Sequence, residues 1–188
     1  MKKSMILTAL AVSLLVSAQE KELVRNGKFQ DKPYATTEAL PENCIAVKFP
    51  GWGFWNAKGS EGKIYLLEKA GAGFDDNRAL LARDFKSGCI LQQISVIPKG
   101  KYKVSLLCKY DGKTDITLGW HQKNGQWAFH KQNRRFHFTT DAGNGWKQAV
   151  CEVTVPDEAY GMSIMINLSE QQPGQDCLID NVSVTAAE

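Results

Sequence analysis

The sequence predicts an all-β fold, a two-sheet antiparallel β-sandwich. Three observations carry this prediction. Gly, Pro, Asn and Asp punctuate the chain roughly every ten residues, the spacing of short strands and turns. The runs between them are rich in Val, Ile, Leu and Tyr, and several alternate apolar with polar residues, the period-2 signature of a strand with one buried face. No long stretch has helical periodicity, and there is no internal repeat, linker or low-complexity tract.

The first residues, MKKSMILTALAVSLLVSAQE, read as a secretory signal, with Lys2 and Lys3 as the charged start and Val16-Ser17-Ala18 as a small-residue cleavage site. The apolar run is too short to span a bilayer, which needs about 20 apolar residues. Residues 1–18 are therefore expected to be removed near Ala18, leaving residues 19–188 as one secreted or periplasmic domain. Without the leader the formal charge falls from +3 to +1. Nothing in that balance argues for nucleic acid or a membrane surface as partner.

Along the mature chain, ILQQISVIPKG places Ile90, Gln92, Ile94 and Val96 on one face, and Pro98-Lys99-Gly100 makes the turn. KYKVSLLCKY is the clearest strand. Tyr102, Val104, Leu106, Cys108 and Tyr110 face one way, Lys101, Lys103, Ser105 and Lys109 the other, and Leu107 is the exception. In LGWHQKNGQWAFH, Asn124-Gly125 signals a two-residue type I′ hairpin turn. That register pairs Gln122 with Trp127 and Trp120 with Phe129, so Trp120, Gln122, Trp127 and Phe129 share a face and His121, Lys123, Ala128 and His130 share the other. KQAVCEVTVP then puts Ala149, Cys151, Val153 and Val155 inside, and MSIMINL puts Met162, Ile164, Ile166 and Leu168 inside. The closing CLIDNVSV places Asp180 in the register of Leu178, Val182 and Val184, an acid among strand-core residues.

Five cysteines, Cys44, Cys89, Cys108, Cys151 and Cys177, are an odd number, so at least one is unpaired or bonds another chain. That leaves a protein partner or a disulfide-linked dimer open. No C-x-x-C occurs, which speaks against zinc or thioredoxin-like chemistry, and buried thiols are favoured over a disulfide framework.

LVRNGKFQ at the start, Trp-containing loops, RALLARD, the Gln92-to-Tyr102 run, GWKQAVCEVTVP and the terminal LIDNVSV occur in a recognisable order. The chain resembles the jelly-roll, galactose-binding-domain-like carbohydrate-binding modules attached to bacterial xylanases and cellulases, over almost the whole mature length. The resemblance implies that the two ends meet in space and hold one structural calcium ion. Gln30 of Asn26-Gly27-Lys28-Phe29-Gln30 stands where that family has Glu, and Asp180 matches the closing acid. Gln30, Asp76 and Asp180 are the implied metal ligands, with Asp75 nearby. Gln keeps a carbonyl oxygen but removes one negative charge. Asp180 could instead pair with a basic residue or accept backbone hydrogen bonds across a bulge.

The resemblance also implies a non-catalytic domain that binds a glycan or polysaccharide. Sugar rings stack on indoles while neighbouring amides satisfy their hydroxyls. Trp55, Trp120, Gln122 and Trp127 are the candidates, Trp55 from the Gly-rich stretch FPGWGFWNAKGSEG. If the hairpin face of Trp120 and Trp127 looks inward, that set is packing, and His121, His130 and Lys123 line the solvent side. Trp52 and Trp146 read as structural. His130, Lys131, Arg134, Arg135 and His137 form the one basic cluster, read as a solvated turn and edge strand rather than an anion grip. No nucleophile elbow, phosphate loop or metal-spaced His pair is present, so catalysis has no motif behind it. A structural or protein-interaction sandwich without sugar binding is the alternative.

Overall fold

A computed structural model describes residues 21–110 and 112–187; the expected leader lies outside the described residues. The chain forms two packed antiparallel sheets, as the alternation predicts. The first runs, in spatial order, β1 (Cys44–Ala46), β3 (Lys63–Glu68), β4 (Arg78–Arg83), β13 (Cys177–Ala186), β6 (Lys101–Lys109), β11 (Trp146–Thr154) and β10 (Thr140–Gly143). The second runs β2 (Gly53–Asn56), β5 (Ser87–Ser95), β12 (Gly161–Ser169), β7 (Lys113–His121) and β8 (Trp127–Ala128), with β9 (Arg134–Phe136) also paired to β7.

The core lies between the sheets. Ile90 and Ile94 of β5, Met162, Ile164, Ile166 and Leu168 of β12, and Ile116, Leu118 and Trp120 of β7 face Tyr102, Val104, Leu106 and Cys108 of β6. Each such large side chain, once buried, contributes about 1.5–3 kcal/mol, which is why the one-sided strands lock in register. Gln92 is the buried polar exception on β5. Its Oε1 accepts from the Arg25 N–H at 2.7 Å and its Nε2 donates to the Arg25 carbonyl at 2.9 Å, clamping the N-terminal segment to the sheet. That segment also runs along β13: the Leu23 N–H donates to the Val184 carbonyl and the Val182 N–H to the Gly27 carbonyl, both at 3.0 Å. The two ends of the domain meet.

Two expected registers differ. In β13, Asp180 pairs with Leu107 while Ser183 pairs with Ser105, so the strand carries one extra residue, with Asn181 at φ 48°. This bulge breaks the alternation. Ile179, Val182 and Val184 point into the core, while Leu178 and the Leu107 exception pack on the outer side of the sheet with Ala79, Trp146 and Phe74. Asp180 is therefore not an acid inserted in a continuous apolar row.

The hairpin between β7 and β8 also differs. Gln122 pairs with Gln126, and the Gly125 N–H donates to the Gln122 carbonyl at 2.9 Å. The loop is the three residues Lys123-Asn124-Gly125, with Gly125 alone among them at positive φ, +81°. Trp120 therefore pairs with Ala128 and His121 with Trp127. A one-residue change in loop length sends every later side chain to the opposite face. Trp127 shares a face with His121, not with Trp120.

All five cysteines are buried free thiols.

Candidate functional site

The outer face of the second sheet is a grid set by strand register. Trp55, Cys89, Asn167 and Asp115 stand side by side across β2, β5, β12 and β7. The next row is Gly53, Leu91, Met165, Thr117 and Arg135, ending on β9. Three sheet spacings separate Trp55 from Asp115, roughly 14 Å. Trp55, 58% exposed, stands at one side of the grid, and Trp127, 45% exposed, at the other. Between them is a groove of about 600 Å³, floored by Cys89, Leu91, Met165, Asn167 and Asp115.

Trp127 belongs to a more distant row but leans into the groove over Gly119. A Cβ at Gly119 would lie 2.2 Å from Trp127 Cζ3 and 3.0 Å from Met165 Cε. The indole also rests on His121, with ring centroids 4.2 Å apart, and His130 lies parallel to it at 6.5 Å. His121 is itself buried and held at both nitrogens. Nδ1 lies 3.1 Å from the Gly125 carbonyl oxygen and Nε2 lies 2.7 Å from Ser163 Oγ. A carbonyl only accepts, so Nδ1 carries the proton. The platform is thus supported from below by a fixed ring.

The polar row is internally paired. Asn167 Nδ2 donates to Asp115 Oδ1 at 2.7 Å and to Thr117 Oγ1 at 2.9 Å, and the Arg135 guanidinium donates to Asp115 Oδ2. The Asp115 hydrogen bond raises the Arg135 pKa. Acid and base cancel, so the floor is polar without net charge. Burial pushes the Cys89 thiol up, which keeps it an uncharged part of the floor.

Of the sequence candidates, Trp55 and Trp127 are exposed at this groove. Trp120 is a correction: it is 1% exposed, with Nε1 donating to the Gln132 carbonyl at 2.9 Å, and packs in the core. Gln122 is exposed in the turn and lines a separate depression with Lys123 and Tyr160. Asp115 and Asn167, which are not among the sequence candidates, join the groove. Their signal is the outward phase of TDITL and MSIMINL, which gains meaning only once β7 and β12 are known to be neighbours. Arg135, read as part of a solvated edge, reaches the groove.

The second candidate set also converges. Gln30 Nε2 donates to Asp76 Oδ2 at 2.9 Å. A Cβ at Gly73 would meet Asp76 Oδ1 at 2.2 Å, the Arg78 carbonyl oxygen at 2.3 Å and Asp180 Oδ2 at 2.9 Å. The donors that converge there are oxygens, two of them carboxylate, a set that suits a hard cation. Among the described residues, no group of three or more His, Cys, Asp or Glu side chains is disposed to hold a metal. Asp180 is fully buried and accepts the Phe74 and Asn181 N–H groups, both at 2.7 Å. Burial raises its pKa to about 6, those two hydrogen bonds oppose the rise, and Asp76 and Asp75 add to it.

Neither a family profile nor a curated protein sequence matches the chain. Solved structures do. TmCBM61 in complex with beta-1,4-galactotriose matches with a TM-score of 0.57 at 14% identity, over 89% of this chain and 99% of that one. The Stig cyclase Fisc from Fischerella sp. TAU matches with a TM-score of 0.61 at 10% identity, over 90% and 98%. The enzymatically active domain of bacteriophage CBA120 tailspike protein 4 matches with a TM-score of 0.64 at 13% identity, over 88% of this chain and 21% of that one. This chain thus spans about a fifth of the tailspike domain, and 28% of a Clostridium thermocellum xylanase structure that it also matches. Carbohydrate-binding modules of families 16 and 22 are among the other matches. No helix among the described residues is long and apolar enough to cross a membrane. The strand arrangement and these neighbours together make the chain a jelly-roll β-sandwich with the fold of carbohydrate-binding modules.

Proposed function

We propose that this protein is an exported, non-catalytic carbohydrate-binding domain that takes an uncharged glycan in the groove of the second sheet. One observation carries the reading: two exposed indoles, Trp55 and Trp127, stand on either side of a polar row, Asp115–Asn167–Arg135, whose charges cancel. Sugar rings stack on the indoles, and the row offers donors and acceptors to their hydroxyls. Matches to modules of families 16, 22 and 61 support it at the level of fold.

Enzymes share this fold, and it is the chemistry of the groove that speaks against catalysis. Glycoside hydrolysis generally uses two carboxylates across the scissile bond. The groove lining contains one carboxylate, Asp115, and it is paired with Arg135. Export rests on the leader-like residues 1–18. At the joined ends, Asp76, Asp180 and the Arg78 carbonyl would hold a structural calcium ion, with Gln30 joining through its Oε1 once its amide turns Nε2 away from Asp76, and the bound ion would cross-link the start and end of the domain.

The test is binding of the purified protein to an array of neutral plant, microbial and host oligosaccharides, followed by titration of the best ligand. Trp55→Ala and Trp127→Ala should each weaken binding by roughly tenfold or more, about 1.4 kcal/mol, with thermal melting close to wild type. Silence across the array, or full affinity in both variants, would overturn the reading.

A further inference from the structure

The strand β2 has two faces, and the groove uses one. Trp55 points to the groove, while its neighbour Phe54 points the other way and packs edge-on against Phe85, with ring centroids 6.1 Å apart. On that side lies a separate cavity of about 460 Å³. It is bounded by Phe54 and Trp52, by Ile64 and Lys63 of β3, and by the segment carrying Tyr34, Glu38, Lys48 and Phe49. β2 is the edge strand of its sheet, so the cavity opens at the side of the sandwich rather than over a sheet face. The Tyr34 N–H donates to the Lys48 carbonyl at 3.1 Å, which holds the outer wall in place.

The walls differ in chemistry from the groove. Phe49 and Trp52 are buried, and the Trp52 indole N–H is already committed to the Asn26 carbonyl at 3.1 Å, so they supply an apolar floor. Tyr34, 53% exposed, and Phe54, 43% exposed, are rings open to a ligand. Among the described residues, the Lys48 and Lys63 ammonium groups form no salt bridge. They outnumber the single carboxylate of the cavity wall, Glu38. The groove floor, by contrast, cancels its charge internally through Asp115 and Arg135. An apolar floor with a few polar groups at its rim is how small-ligand sites are built, and an excess of ammonium groups selects for an anion.

We infer that this edge cavity is a second, independent binding site for an acidic sugar, a pyranose ring bearing a carboxylate. The ring would lie against Tyr34 and Phe54, and the carboxylate would take charge-assisted hydrogen bonds from Lys48 and Lys63. The site does not depend on the groove. Because Phe54 and Trp55 are consecutive on one strand, one protein could hold a neutral stretch and an acidic residue together.

The probe is a galacturonate trimer titrated into the whole protein at low and high salt, with galactotriose as the uncharged control. The expected result is saturable binding of the acidic trimer that weakens with salt. Tyr34→Ala and the double variant Lys48→Gln/Lys63→Gln should each reduce it roughly tenfold or more, and Trp127→Ala should leave it unchanged. Tyr34 and both lysines are exposed, so melting curves should stay near wild type; if Tyr34→Ala does not fold, the lysine variant decides. No saturable binding of the acidic trimer would overturn the inference. Binding abolished by Trp127→Ala and kept by Tyr34→Ala would also overturn it, by assigning the ligand to the groove. Failure of the groove reading appears separately, as neutral glycans that bind nowhere.

Discussion

Gly119 shows how one residue sets the groove. It sits on the outer face of β7 in a strand otherwise suited to larger side chains, and Trp127 occupies the space a Cβ would take, with Cζ3 2.2 Å from that point. The indole is the far end of a side chain, so an added methyl would push it rather than break the strand. Gly119→Ala should therefore leave the fold intact at a cost of about 1–3 kcal/mol for an overpacked site, while displacing Trp127 from its seat on His121. Glycan affinity should fall roughly tenfold and the near-ultraviolet circular dichroism of the tryptophans should change. Unaltered affinity with an altered spectrum would mean that the pose of Trp127 does not matter for binding. His121 is the other half of this support, and its two fixed nitrogens explain why a histidine is buried behind an exposed indole.

Among the elements, the β7–β8 hairpin decides most. Asn124-Gly125 marks the turn correctly, but the loop includes Lys123, and that single residue determines which face receives Trp127. Deleting Gln126 keeps the Lys123-Asn124-Gly125 loop but brings Trp127 opposite Gln122, one residue out of phase with its pairing to His121. The expected outcome is a shift of Trp127 to the Trp120 side, where the core is filled. The deletion should lower the melting temperature and abolish glycan binding; a variant that melts and binds like wild type would contradict the pairing of His121 with Trp127. The existence of the strands β5, β6, β11 and β12 was legible from alternation, because period 2 is a local property of half-buried strands. The bulge at Asn181 was not, since an extra residue in one strand shows only against its partner. The candidate site was half legible for the same reason: Trp55 and Trp127 are conspicuous by type, but Asp115, Arg135 and Asn167 become a site only by lateral pairing of β9, β7 and β12.

At the scale of the whole molecule, Asp180 ties the last strand to the loop at Phe74, beside Gln30 from the opening segment. Its pKa in the fold, about 6, lies above the ordinary carboxylate value of 3.8. Between those two values the unfolded chain releases the proton while the folded chain keeps it, so this group's contribution to stability falls as pH rises from about 4 to about 6 and is flat above that. The full difference is on the order of 3 kcal/mol. Comparing wild type with Asp180→Asn isolates it: the stability of the wild type relative to the variant should decline across that window, and a constant difference would reject the buried, protonated acid. A bound calcium ion would favour the ionised form and reverse the loss. Above pH 6, calcium should then raise the melting temperature and excess chelator lower it. An unchanged melting temperature would reject calcium at this clasp.

The sequence by itself determined the class of fold, and its resemblance to carbohydrate-binding modules implied that the two ends meet. Strand periodicity, turn residues and the motifs NGKFQ and LIDNVSV are properties of short segments, so they survive being read one stretch at a time. Tertiary structure decided the face on which Trp127 stands, the burial of Trp120, and the meeting of Asp115, Arg135 and Asn167 in one groove. It also opened the cavity behind β2, whose walls come from residues 34 to 64. Those outcomes depend on loop length and lateral strand order, and no local pattern encodes which strand lies beside which.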